Sequence, residues 1–281
     1  MEIILGHNKF FGINHKAENI QRNQKYSSKK ISNLLKFSAQ VGYDGFMVST
    51  HPLAKNKYGK YLANDKTLFN KKKHIHLLVP YAYKINQELN KFGPTKLFFN
   101  KILNRNFFNF IFQLFTFRKK FFDTLISILI EDDIKNFPRN KIVALYLHEI
   151  ITDILIALNQ KQIIFSFINF CKKEGFESGI ATRNFVKLKE FLNSNDLKPD
   201  RILTHLNILG LNMNPSKKLV ENNLKKIKDI KIIAMGVFAS GLCYNEKKIF
   251  NYLKKFKSVK GLIIGTTNKT QIKKNLIFKM I

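Results

Sequence analysis

Short apolar runs rich in β-branched and aromatic residues alternate along the chain with longer segments whose apolar positions recur at helical spacing. Ile3-Ile4-Leu5 is the first run and ends at Gly6-His7-Asn8. Ser27 and Ser28 then stand where an N-cap belongs, before a helix whose apolar side is Ile31, Leu34, Leu35 and Val41. Gly45 to Val48 reads as the second strand and Ile75 to Val79 as the third. Ile142 to Leu147 ends at His148-Glu149, and a helix from about Lys161 to Lys173 stops at Gly175, a C-terminal stop signal. Gly179 to Ala181 leads to Thr182-Arg183-Asn184 and a helix over Val186 to Leu192. Arg201 to Thr204 runs into His205 and Asn207, after which Pro215 and Ser216 open a helix. Ile230 to Ala234 leads to Met235-Gly236, Asn245 caps the next helix, and Gly261 to Ile264 ends at Gly265-Thr266-Thr267 before a last helix from about Lys269.

Eight such units in 281 residues are the arithmetic of a single (β/α)8 TIM barrel spanning residues 1–281. A doubly wound sheet is the competing architecture, but Gly6-x5-Gly12 does not match its glycine-rich first turn. One segment exceeds the count. Between the third and fourth strands, at about 85–137, Leu103, Phe107, Phe110, Leu114, Phe117 and Phe121 recur at gaps of four and three, the spacing of one helical face. Phe108, Phe112, Phe115 and Phe122 make the opposite side apolar too. A Phe-rich helical insertion is therefore expected, buried on the barrel, in an oligomer, or against a membrane surface.

Composition changes this picture little. Lys and Arg number 49 against 19 Asp and Glu, a formal charge of +30 that by itself suggests nucleic acid or an anionic membrane. Only six of these cations are Arg, however, and 43 are Lys, alongside many Asn, Ile and Phe, as codon usage rich in A and T favours. Bidentate recognition of phosphates and base edges prefers Arg, so no specific nucleic-acid partner is expected. Cys171 and Cys243 are far apart and form no C-x-x-C motif, which excludes a disulfide scaffold and suits a reducing, cytoplasmic compartment. Met1-Glu2-Ile3-Ile4-Leu5-Gly6 has an acid where a signal peptide carries positive charge. The stretch Phe107 to Phe117 is interrupted by Asn109, Gln113 and Thr116 and is short of the roughly 20 residues of a transmembrane span.

In a parallel barrel the residues just after each strand converge on one mouth. Four of the seven histidines, His7, His51, His148 and His205, fall there. The pair His74 and His76 lies at the start of the third strand, away from the mouth, so no metal is expected. Tyr81, Tyr83 and Lys84 follow the third strand, and a lysine beside a tyrosine stabilises its phenolate and makes it a usable proton donor. Gly265-Thr266-Thr267-Asn268 precedes a helix start, where backbone N–H groups and hydroxyls suit either a phosphate or an ordinary cap.

The second half of the chain, about 142–278, resembles the aldo-keto reductases, NADP-dependent (β/α)8 barrels. Ala144-Leu145-Tyr146-Leu147-His148 is similar to that family's fourth strand, which ends in the active-site histidine. Gly179-Ile180-Ala181-Thr182-Arg183-Asn184-Phe185 resembles its G-V-S-N-F turn, with two extra residues, whose Asn contacts the nicotinamide amide. Ile233 to Gly241, with Gly236 and Ser240, resembles the seventh strand and its cofactor loop. Leu262 to Thr267, followed by Gln271 and Asn275, resembles the G-x5-Q-x3-N pattern that holds the adenosine phosphate and adenine through Gly265, Thr266, Thr267, Gln271 and Asn275. The first half departs from the pattern. The family's second strand ends in an Asp with the catalytic Tyr five residues later, whereas Phe46-Met47-Val48-Ser49-Thr50-His51-Pro52 has no Asp. Tyr58-Gly59 is spaced differently, and Lys84 lies a few residues late for the family's lysine. The sixth strand also lacks the family's Gln and stacking Tyr, with Leu206 near that place, and Lys274 replaces a usual acid.

The resemblance implies an NADP-dependent reductase of a small carbonyl or sugar-like substrate. His148 would orient the carbonyl, and Tyr81 or Tyr83 beside Lys84 would give the proton. Arg183, Asn184, Gly236 and Ser240 would join the last-strand residues around the cofactor. Two alternatives remain open: a histidine-lined hydrolase, lyase or isomerase, with or without a metal, and a non-catalytic barrel with a degenerate nucleotide site that uses the Phe-rich insertion to bind a partner.

Overall fold

Period-two alternation along eight strands sorts the barrel's apolar residues into two sets. The computed structural model describes residues 1–11, 27–50, 74–80 and 118–281. Its strands are β1 (Glu2–Gly6), β2 (Gly45–Ser49), β3 (Ile75–Val79), β4 (Ile142–Leu147), β5 (Glu177–Thr182), β6 (Arg201–His205), β7 (Lys231–Met235) and β8 (Val259–Ile264). All pair in parallel with their sequence neighbours, and β1 closes on β8, a (β/α)8 barrel. Outward residues such as Ile3, Leu5, Phe46, Leu77, Leu145, Ile202 and Leu262 pack beneath the helices in one cluster. Inward residues Ile4, Met47, Ala144, Tyr146, Ala181, Leu203 and Ile233 form the other.

The helices among the described residues are α1 (Ser28–Gln40), α2 (Arg118–Ile134), α3 (Glu149–Ala157), α4 (Lys161–Lys173), α5 (Phe185–Ser194), α6 (Lys217–Lys225), α7 (Glu246–Leu253) and α8 (Lys269–Lys274). Ser27, Ser216, Asn245 and Asn268 cap α1, α6, α7 and α8 with side-chain oxygens, each satisfying backbone N–H groups that the first turn leaves without partners. Because Ser216 is itself the cap, Pro215 precedes α6 and is not in its first turn as the sequence suggested. Helix α3, absent from the pattern reading, gives the fourth unit two helices. Of the expected insertion at 85–137, the described part contains α2, which packs on α4 and on β3 in the place of a crossover helix. The aromatic repeat from Leu103 to Phe117 lies outside the described residues. No helix among the described residues is long and apolar enough to cross a membrane.

Bare glycines make room for the largest interior side chains. Gly179 pairs in register with Tyr146, and a Cβ there would lie 2.3 Å from the Tyr146 ring. A Cβ at Gly45 would meet the His76 ring at 3.0 Å, and one at Gly261 would meet Ile233 at 2.8 Å. Gly179→Ala is therefore expected to destabilise the fold by about 1–3 kcal/mol, the range for overpacking a filled core. Thermal denaturation of the variant against the parent chain checks this.

The end of the barrel away from the mouth is polar inside. Arg201 is buried and reaches Glu2 at 2.6 Å, and its Nε donates to Glu177. Glu177 also meets Lys231 at 3.1 Å, Glu2 lies 3.4 Å from His76, and the Tyr146 hydroxyl is 3.4 Å from His76 Nδ1. Burial acts to raise the Glu2 carboxyl, but the His76 hydrogen bond and the Arg201 guanidinium outweigh it and hold the group at about 2. These contacts join β1, β3, β4, β5, β6 and β7 across the interior.

Candidate active site

Strand parity decides which side chains face the mouth. Ile4, Met47, Ala144, Tyr146, Leu203 and Ile233 point inward, so Gly6, Ser49, His148, His205 and Met235 do too, each an even number of residues further along. Gly265 stands two residues beyond Ile263, which packs on the inner cluster. The mouth thus receives a serine from β2, histidines after β4 and in β6, and glycines from β1 and after β7 and β8.

His148 has two roles. As N-cap of α3 its Nδ1 accepts the N–H of Ile150 at 3.2 Å. That bond requires an unprotonated Nδ1, so the neutral ring carries its hydrogen on Nε2. Burial pushes the imidazole below its ordinary pKa, opposed by the Glu149 carboxylate and reinforced by Arg183. The ring is therefore neutral at pH 7 and a hydrogen-bond donor through Nε2.

The loop after β5 is tied to α3. Arg183 donates to Glu149 through Nε at 2.8 Å and lies 2.7 Å from it through a terminal nitrogen, leaving the guanidinium half exposed beside the His148 corner. Asp153 accepts the Thr182 hydroxyl at 2.6 Å and the Arg183 N–H at 3.2 Å. Burial pushes the Asp153 carboxyl up. Asn184 caps α5 through its side-chain oxygen, which accepts the Lys187 N–H, so its amide NH2 is the end it has for a ligand.

After β7, Gly236 has a φ of +67°, and a Cβ there would lie 2.7 Å from His205 Nδ1, so the ring lies against bare backbone. Ala239 and Ser240 follow with φ of +48° and +56°. After β8, buried Thr266 donates to Gln271 at 2.8 Å, and Asn268 accepts the N–H groups of Thr270 and Gln271 at the start of α8. Asn275 is 2% exposed and donates to the Tyr43 hydroxyl at 3.3 Å. Gln271 and Asn275 therefore brace the corner from within, while Gly265 and Thr267 present its accessible edge. A Cβ at Gly6 would lie 3.6 Å from the Gly265 nitrogen. Three adjoining strands, β7, β8 and β1, thus lead into glycine, with the His205 ring against Gly236 and the Ile263 side chain 3.0 Å from where a Cβ of Gly6 would stand.

Tyr81, Tyr83, Lys84 and His51 lie outside the described residues. The structure adds a pairing that sequence reading missed. His7 bonds through Nδ1 to the Met47 carbonyl and through Nε2 to the Ser49 hydroxyl, both at 3.1 Å. Next to it, the Thr50 hydroxyl donates to buried Asp133 of α2 at 2.7 Å, which anchors the end of β2 to the outer helix.

No protein-family model and no curated protein matches the chain by sequence. Solved structures match it in fold. One described as an aldo-keto reductase of Pseudomonas aeruginosa is 14% identical with a TM-score of 0.59, over 98% of this chain and 88% of that one. An aldo/keto reductase of Brucella melitensis is 11% identical with a TM-score of 0.55, also over 98% and 88%. A variant of Gox0644 in complex with NADPH is 10% identical with a TM-score of 0.54, over 100% of this chain and 84% of that one. At such identities the likeness speaks for architecture: the chain has the (β/α)8 fold of these aldo-keto reductases.

Proposed function

We propose that the chain is an NADP-dependent oxidoreductase of aldo-keto reductase type, acting on a small carbonyl or sugar-like substrate. The reading is carried by the glycines Gly236, Gly265 and Gly6, which follow or end three adjoining strands at the mouth. β8 lies four strands round the closed barrel from β4, the strand that His148 follows. A nicotinamide held at this mouth would be the hydride source for a carbonyl substrate. His148 donates a hydrogen bond to the carbonyl oxygen from a ring kept neutral by burial, and so stabilises negative charge as it develops. Asn184 would hold the nicotinamide amide through its side-chain NH2, and Gly236 and Ser240 would join the cofactor site. Gly265 and Thr267 would take the adenosine phosphate, with buried Thr266 bracing them through Gln271, and Arg183 would join the cofactor site from the loop after β5. Gln271 and Asn275 hold the shape of the adenine end. Tyr81 or Tyr83, with Lys84 beside it, returns the proton.

NADPH fluorescence titration tests the cofactor half directly. Saturable binding at submillimolar cofactor is expected, weakened in the variant Gly265→Val. Absence of binding in that range sinks the reading.

A further inference from the structure

We propose that Ser49 is a nucleophile activated by His7, giving the barrel mouth a cofactor-independent acyl-transfer activity on small esters or comparably activated acyl compounds. The hydrogen-bond directions fix the argument. A carbonyl oxygen only accepts, so the 3.1 Å contact from His7 Nδ1 to Met47 O places the ring hydrogen on Nδ1. In the neutral ring Nε2 is then the acceptor, and its lone pair receives both the Ser49 hydroxyl at 3.1 Å and the Ser49 N–H at 3.5 Å. A hydroxyl held against an imidazole lone pair, with the other ring nitrogen held by a third group, is the constellation of an activated serine. Here the third group is a backbone carbonyl, which keeps the tautomer but adds no charge.

The pair is built in. His7 is 5% exposed and Ser49 8%, and their positions are fixed by two parallel strands paired in register. The Thr50–Asp133 bond prevents the end of β2 from sliding. Parity turns Ser49 toward the mouth, as it does His148, whose neutral ring carries its hydrogen on Nε2. In the first step Ser49 Oγ bonds to the acyl carbon while its proton passes to His7 Nε2, and the carbonyl electron pair moves onto oxygen. The His148 donor suits that oxyanion. Collapse expels the leaving alkoxide, which takes the proton from His7 and leaves an acyl-serine. Water attacks the acyl carbon in the same manner, returning Ser49 and the free acid. No oxidant or reductant enters, so the inference stands apart from the nicotinamide reading.

The test is a small fluorophosphonate added to the intact protein, followed by mass spectrometry of its peptides. One adduct is expected, on Ser49. Ser49→Ala abolishes it, and His7→Gln slows it about 10²-fold or more, the usual contribution of a positioned base. A second variant guards against a probe that does not fit. In Ser49→Cys the new thiol is expected to react with iodoacetamide at mildly acidic pH faster than partly exposed Cys243 of the same chain, because a histidine partner favours thiolate. An adduct insensitive to His7→Gln, or folded protein in which Ser49 gives no adduct and the Ser49→Cys thiol reacts no faster than Cys243, overturns the proposal.

Discussion

Arg201→Met is expected to lower the unfolding free energy by about 3–5 kcal/mol, the cost of leaving buried carboxylates without their cation. The guanidinium is 6% exposed and spans Glu2 of the first strand and Glu177 of the fifth. Its removal leaves Glu2, among the described residues, with His76 and Glu177 with Lys231. Urea titration at neutral pH measures the loss. A second readout isolates Glu2. A carboxyl whose folded pKa is depressed contributes stability that is complete above its ordinary value and disappears as pH falls through the folded one. In the parent chain that window runs from about pH 4.5 down to about pH 2. In Arg201→Met the slope of stability against pH in this window is expected to flatten, because the depression itself is reduced. An unchanged slope would mean that Arg201 is not what holds Glu2 charged.

His148 is expected to carry the second large effect, on rate. If its Nε2–H stabilises the developing oxyanion, removing it costs about 10²–10³ in kcat for carbonyl reduction. Since the same residue caps α3, a simple truncation mixes chemistry with folding. Two variants separate them. His148→Ala loses both the cap and the donor, and its melting temperature should fall in keeping with a cap loss of about 0.5–2 kcal/mol. His148→Asp restores a good capping oxygen but offers no N–H, so it should melt near the parent chain and still lose the rate. NADPH binding should persist in both. An Asp variant with parental kcat would remove His148 from the chemistry.

The alternation of apolar runs was enough to place all eight strands, because an interior filled on both faces of a closed sheet leaves a strong local pattern. Capping was equally legible at Ser27 and Asn245, local signals whose partners lie three residues away. Helix α3 was not, since Ile150, Ile151, Ile154 and Ile156 spread apolar side chains around more than one face and the periodicity blurs. The site was legible only in part. His148 stood out as the end of a strand, yet its cap bond, which sets the tautomer, needed geometry. Asn275 matched a ligand-contacting pattern, whereas its amide turns inward to Tyr43, 232 residues earlier. The His7–Ser49 pair and the Glu2–Arg201 pair join residues 42 and 199 apart, and nothing in local spacing marks such partners.

The closure of β1 onto β8 has a colloidal consequence. In an open sheet the outer strands present free N–H and C=O groups, a template on which a second chain can add. This chain is 45% hydrophobic and contains 27 Phe, a composition prone to such addition. Each of its eight described strands has two neighbours, so the barrel backbone offers no row for another copy to extend. With a net charge of +30 distributed over its lysines, two approaching copies also repel one another. Closure thus removes edge-to-edge strand addition as a route by which this aromatic-rich barrel could associate, and charge opposes the approach of a second copy.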